Sequence, residues 1–109
     1  MKQAALLNVY KEGDSQKEDL LGVIGDEAIL GASEAATIRL DDWRCSGIHA
    51  LITRIDKDTY RVVDLGSSYG TFRNNKAISQ IDLRAGEIFK IGDHELTIKG
   101  MPTGESNVL

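Results

Sequence analysis

Short apolar stretches alternate with turn-forming residues along the whole chain, at intervals of about 8 to 12 residues, and helix signals are scarce. Eleven glycines and a single proline supply the punctuation. Such a pattern predicts many short strands. Ala4 to Tyr10 reads as a first strand, followed by a polar loop over Lys11-Glu12-Gly13-Asp14-Ser15-Gln16-Lys17. Two short strands are expected between Leu20 and Gly31 around Gly25-Asp26-Glu27, and another at Thr37 to Leu40. The clearest are Ile48 to Ile55 and Thr59 to Leu65, where β-branched residues alternate and Asp56-Lys57-Asp58 makes a hairpin turn. Thr71 to Asn74 is short and is turned by Asn74-Asn75-Lys76. Glu87 to Ile91 and Glu95 to Lys99 form a last hairpin around Gly92-Asp93-His94. Glu34-Ala35-Ala36 favours helix by propensity, yet three residues cannot hold one, so a loop is expected there. A meander of about ten strands must fold onto itself to bury one face, which makes the chain an all-β sandwich or barrel.

The length of 109 residues suits one domain, placed at residues 1–100, with residues 101–109 having linker composition through Pro102, Gly104 and small polar groups. Hydrophobic residues make up 41%, enough for a core. Seventeen acids against thirteen Lys and Arg give a net charge of -4, which speaks against affinity drawn from nucleic-acid phosphates or an anionic membrane. Seven of those acids and only three of the bases fall in residues 1–36. Cys45 stands alone, so no intramolecular disulfide is available, and with His49 and His94 it does not approach a four-ligand zinc site. The apolar run from Ala4 to Val9 is too short for a signal peptide or a spanning helix. These features lead us to expect a cytoplasmic domain without cofactor, nucleic acid or membrane contact. No nucleophile, base and acid set is present, so an enzyme is not expected.

Three clusters combine glycine with hydroxyl groups between strands: Gly31-Ala32-Ser33, Ser46-Gly47-Ile48-His49, and Gly66-Ser67-Ser68-Tyr69-Gly70-Thr71. Together with Ile29-Leu30-Gly31, Ile38-Arg39-Leu40-Asp41-Asp42, Val63-Asp64-Leu65, Leu83-Arg84-Ala85-Gly86-Glu87-Ile88 and Ile91-Gly92, they make the sequence resemble the forkhead-associated domain family, from about Leu6 to Ile98. The resemblance implies a β-sandwich of about eleven strands whose loops at one end form a phosphothreonine-peptide site. It places Ser46 as the phosphate-binding serine and His49 as the brace between loops. Elsewhere the match departs. Ala32 stands where the family has its phosphate-binding arginine, Gly47 where a basic or polar residue is common, and Tyr69 where an asparagine clamps the peptide, although Ser68 keeps its hydroxyl. Loss of the arginine alone removes about 1.5 to 3 kcal/mol of charge-assisted binding.

Arg44 and Arg73 are the basic residues close enough in the motif to substitute for it. Ser46 is either a phosphate contact or a turn cap. Trp43 and Tyr69 are either packed against the sandwich or exposed anchors for a partner, a composition common at interface centres. The expectation is a phospho-independent protein-interaction module whose partner is another protein or another domain of its own chain. By resemblance to degenerate family members, it would belong to the cytoplasmic part of a bacterial signalling, secretion or motility protein. The alternative is a phosphothreonine reader with a rebuilt anion site.

Overall fold

A computed structural model describes the backbone of residues 5–11 and 18–24 and all of residues 27–99. The polar loop over 12–17, the turn at Gly25-Asp26 and the expected linker lie outside the described residues. Eleven strands are described: β1 Ala5–Lys11, β2 Glu18–Ile24, β3 Glu27–Gly31, β4 Ile38–Arg39, β5 Ala50–Arg54, β6 Thr59–Asp64, β7 Thr71–Arg73, β8 Lys76–Ile78, β9 Gln80–Arg84, β10 Ile88–Ile91 and β11 His94–Lys99. They form a six-stranded sheet in the order β2-β1-β11-β10-β7-β8 and a five-stranded sheet in the order β4-β3-β5-β6-β9. Pairing is antiparallel except between β3 and β4, where Leu30 pairs with Ile38 and Gly31 with Arg39 in parallel register. Glu34-Ala35-Ala36 turns without helix.

Alternation builds the core. Leu30, Ile52, Val62 and Leu83 point inward from one sheet, and Phe89, Ile91, Leu96 and Ile98 from the other, each at or below 1% exposure. Two local signals set the registers. Asp56 Oδ1 accepts the Asp58 N–H at 2.9 Å inside the β5–β6 turn. Asn74 and Asn75 both take positive φ, 51° and 64°, joining β7 to β8 by a tight two-residue turn.

Two expectations need correction. The segment from Lys76 to Arg84 holds two further strands, and β9 closes the edge of the five-stranded sheet against β6. His94 is not a turn residue. The last turn is Gly92-Asp93 alone, and His94 opens β11 with its side chain buried beside Asp42.

The strand directions gather the loops that follow β3, β4, β6 and β10 at one end. Ala32, Ser46–His49, Leu65 and Gly70 are joined there by backbone and side-chain hydrogen bonds. The β5–β6 and β9–β10 turns meet at the opposite end, where the Ala85 N–H donates to the Asp58 carbonyl.

Tyr60 is fully buried, and its hydroxyl has no hydrogen-bond partner among the described residues. An unsatisfied buried hydroxyl costs about 1 to 3 kcal/mol. Tyr60→Phe is therefore expected to leave stability unchanged or raised by up to about 1 kcal/mol. Urea unfolding would show this as an equal or higher midpoint at constant slope; a clear loss would reveal a partner for the hydroxyl.

Candidate functional site

The frame of this end is a set of hydrogen bonds around one imidazole. His49 is wholly buried. Its Nδ1 accepts the Ser46 N–H at 2.9 Å, and its Nε2 lies 3.0 Å from the Gly70 carbonyl oxygen. A carbonyl can only accept, so the proton sits on Nε2 and the ring is neutral. One side chain thus spans the loop before β5 and the loop before β7. The His49 backbone adds two more ties, donating to the Leu30 carbonyl and accepting from the Leu65 N–H.

The first loop is pressed against the second. Ala32 N–H donates to Ser46 O at 2.9 Å, and Ser33 N–H to Gly47 O at 3.1 Å. The approach is so close that a Cβ on residue 31 would overlap the Gly47 carbonyl, which is why glycine stands there. The third loop is folded by Asp64. Its carboxylate accepts from Gly66 N–H, Ser67 N–H, Ser67 Oγ–H at 2.6 Å and Thr71 Oγ1–H at 2.8 Å. Ser67 Oγ in turn accepts the Gly70 N–H. Across the gap, Ser68 N–H donates to Ser46 Oγ at 3.0 Å, so that bond does not use the Ser46 hydroxyl proton.

Arg44 and Arg73 are engaged elsewhere. Arg44 bonds Asp42 through Nε at 3.2 Å and Asp93 through Nη1 at 2.8 Å, tying its loop to the β10–β11 turn. Asp42 also accepts the Arg44 and Asp93 backbone N–H groups. A Cβ on residue 92 would crowd the Asp42 carboxylate, and Gly92 takes a positive φ of 60°. Arg73 pairs with Glu87 at 2.7 Å, at the far end of β7 from the loops. A third arginine, not singled out in the sequence as a substitute, stands nearer. Parallel pairing sets Arg39 beside Gly31, and its Nε donates to the Ala32 carbonyl at 3.0 Å.

Trp43 and Tyr69 are both outside the core. They are 74% and 54% exposed and meet edge to face with ring centroids 5.1 Å apart. The Arg44 guanidinium lies 5.2 Å from the centre of the Trp43 ring, so the ion pairs that fix Arg44 also fix the indole. Ile48 and Leu65 are exposed at the same end, so four of the six large exposed apolar side chains among the described residues come from these loops. Ala32 is half-buried against the core and Gly47 is exposed. Cys45 is buried beneath the loop, and burial, with help from Asp42, pushes its thiol up to about 11, where it is not a nucleophile. Among the described residues no group of three His, Cys, Asp or Glu is arranged to hold a metal, and no helix is long and apolar enough to cross a membrane.

Burial raises the Asp64 carboxyl, but the hydrogen bonds from Ser67 and Thr71 outweigh it and the net shift is downward. Asp42 follows the same balance, with burial opposed by the backbone and side chain of Arg44. A folded value below the unfolded one stabilises the fold fully above the ordinary carboxylate range, near about 4, and that stabilisation is lost as pH falls through the folded value. Stability is therefore expected to drop steeply below about pH 4, and Asp64→Asn to flatten that drop while costing about 1 to 3 kcal/mol at neutral pH. Unfolding midpoints between about pH 2 and 7 would check both. His49→Ala should lower stability by about 2 kcal/mol, since two bonds of about 1 kcal/mol each disappear. A variant as stable as the parent but unable to bind a partner would contradict this.

No curated protein sequence matches the chain. Solved structures do. A structure from work on phosphothreonine-dependent FHA domain interactions superposes with a TM-score of 0.69 at 26% identity, over 91% of this chain and 98% of the other. The FHA domain of the Chlamydia trachomatis protein CT664 gives a TM-score of 0.71 at 26% identity, over 88% and 96%. The FhaA FHA domain, solved in complex with the intracellular domain of Rv3910, gives 0.64 at 26%, over 85% and 99%. Mycobacterium tuberculosis EmbR, in complex with a low-affinity phosphopeptide, shares the fold at 24% identity, and this chain spans a quarter of its length. The FHA domain family profile matches residues 28–92, which includes all three loops around His49. With more than half of its length inside that match, the chain belongs to the FHA domain family.

Proposed function

We propose that this domain is a protein-interaction module that recognises its partner without phosphothreonine, through the loop end carrying Trp43 and Tyr69. The observation that carries the proposal is the pairing of Ala32, where the phosphate arginine would stand, with the exposed edge-to-face contact of Trp43 and Tyr69. A dianionic phosphate needs an arginine fork and several free donors. Here Arg44 and Arg73 are spent on Asp42, Asp93 and Glu87, while the face offers rigid aromatic area. Aromatic side chains with few rotatable bonds lose little entropy on binding, which suits them as anchors. We place the domain in the cytoplasmic part of a signalling, secretion or motility protein, with another protein or another domain of its own chain as partner. The FhaA domain, held by the intracellular domain of a second protein, supports a domain-to-domain mode of use.

Calorimetric titration with a phosphothreonine peptide library and its unphosphorylated counterpart tests the reading. The wild type should show no preference for phosphate. The double change Ala32→Arg with Tyr69→Asn should create one of about 30-fold, or about 2 kcal/mol, because the loop frame is intact and only the charged fork and peptide clamp are missing. Tight phosphate-dependent binding by the wild type, lost on Arg44→Ala or Arg73→Ala, would overturn the proposal in favour of a rebuilt anion site.

A further inference from the structure

Arg39 is exposed, and no carboxylate pairs with it among the described residues. Its place is fixed at both ends of the side chain. The parallel β3–β4 pairing holds its Cα against Gly31, and the Ala32 carbonyl holds Nε. Ala32 in turn donates to Ser46 O, Ser46 Oγ accepts from Ser68 N–H, and Ser68 precedes Tyr69. Hydrogen bonds therefore link Arg39 through Ala32 and Ser46 to Ser68, the residue before Tyr69. With Nε committed, the guanidinium presents its two Nη groups, whose outer edge makes two parallel bonds to a carboxylate.

We propose that Arg39 is the recognition cation of this face and takes the carboxylate of an Asp or Glu side chain in an unphosphorylated partner segment, while a nearby apolar side chain of that segment seats against Trp43 and Tyr69. The inference rests on the phospho-independent reading above and adds the chemistry of the partner. One guanidinium and one hydroxyl match the single charge of a carboxylate. A dianion in the same place would be left half neutralised and would lack most of the donors it needs. The aromatic pair without Arg39 would select apolar residues with no sense of register. A fixed charge to one side of it sets the direction in which a segment lies.

The test uses a phage-displayed library of random dodecapeptides selected on the 109-residue chain. Recovered peptides are remade in three forms: unchanged, with each Asp or Glu replaced by its amide, and with phosphothreonine at that position. Fluorescence anisotropy then measures binding at about 50 and about 300 mM salt. Recovered peptides should carry an acidic residue near an apolar one, and the amide form should bind at least about 10-fold more weakly, the fold-change of one lost charge-assisted pair. Arg39→Gln should remove the difference between acid and amide. Arg39→Lys, which keeps the charge without the planar fork, should retain the salt dependence but bind more weakly. Thermal unfolding of both variants separates lost recognition from lost folding.

Recovery of no peptide, or equal binding of acid and amide forms by the wild type, overturns the inference. If such peptides still need Trp43 and Tyr69 but ignore Arg39, the interaction-module reading stands and only the carboxylate is wrong. If the phosphothreonine form binds more than about 10-fold tighter than the acid, both readings fall together.

Discussion

A neutral imidazole with no exposure to solvent governs the loop end of this sandwich. His49 gives one nitrogen to the loop before β5 and the other to the loop before β7, so neither loop can shift without breaking a buried hydrogen bond. Protonating that ring would replace the acceptor that Ser46 N–H needs with a second donor. Everything outward of it inherits the constraint: the Ser46–Ser68 bond, the Asp64 fold of the third loop, and through Ser68 the position of Tyr69. The frame is thus held together by hydrogen bonds within the chain itself.

A second constraint acts from the side. Asp42 accepts from Arg44 and from the backbone of Asp93, lies beside His94, and so joins the loop after β4 to the turn between β10 and β11. Arg44 lies under the indole of Trp43 as part of the same set. The most exposed aromatic residue of the described chain is therefore carried on its most elaborate charge network. An arginine that looks available in the sequence is consumed in supporting the residue beside it.

Much of the fold was legible because burial on one face leaves a period of two. The alternation over Ile48–Ile55 and Thr59–Leu65 and the Asp-Lys-Asp turn between them are local signals, and β5 and β6 follow from them directly. β8 and β9 carry no such signal, for the converse reason. They lie at sheet edges, where only Leu83 is fully buried, and the sequence from Lys76 to Arg84 carries little apolar contrast. His94, two residues after Gly92, looks like part of a turn, but it opens β11 with its side chain packed beside Asp42. The loop motifs around Gly31, Ser46 and Gly66 were visible as spacing. That Arg44 and Arg73 find acids at positions 93 and 87, and that Arg39 finds none among the described residues, depends on contacts distant in sequence, which no local pattern encodes.

The overlap that forbids a side chain at Gly31 separates two properties of the loop end. The main chain of residues 31–33 is locked to residues 46–47 by its own N–H and C=O groups. What residue 32 carries beyond its Cβ contributes nothing to that lock. A side chain at position 32 can therefore be exchanged without unlocking the two loops, whose contact is made by main-chain atoms. The stability of the loop end and the chemistry of the surface it presents are thus set by different atoms.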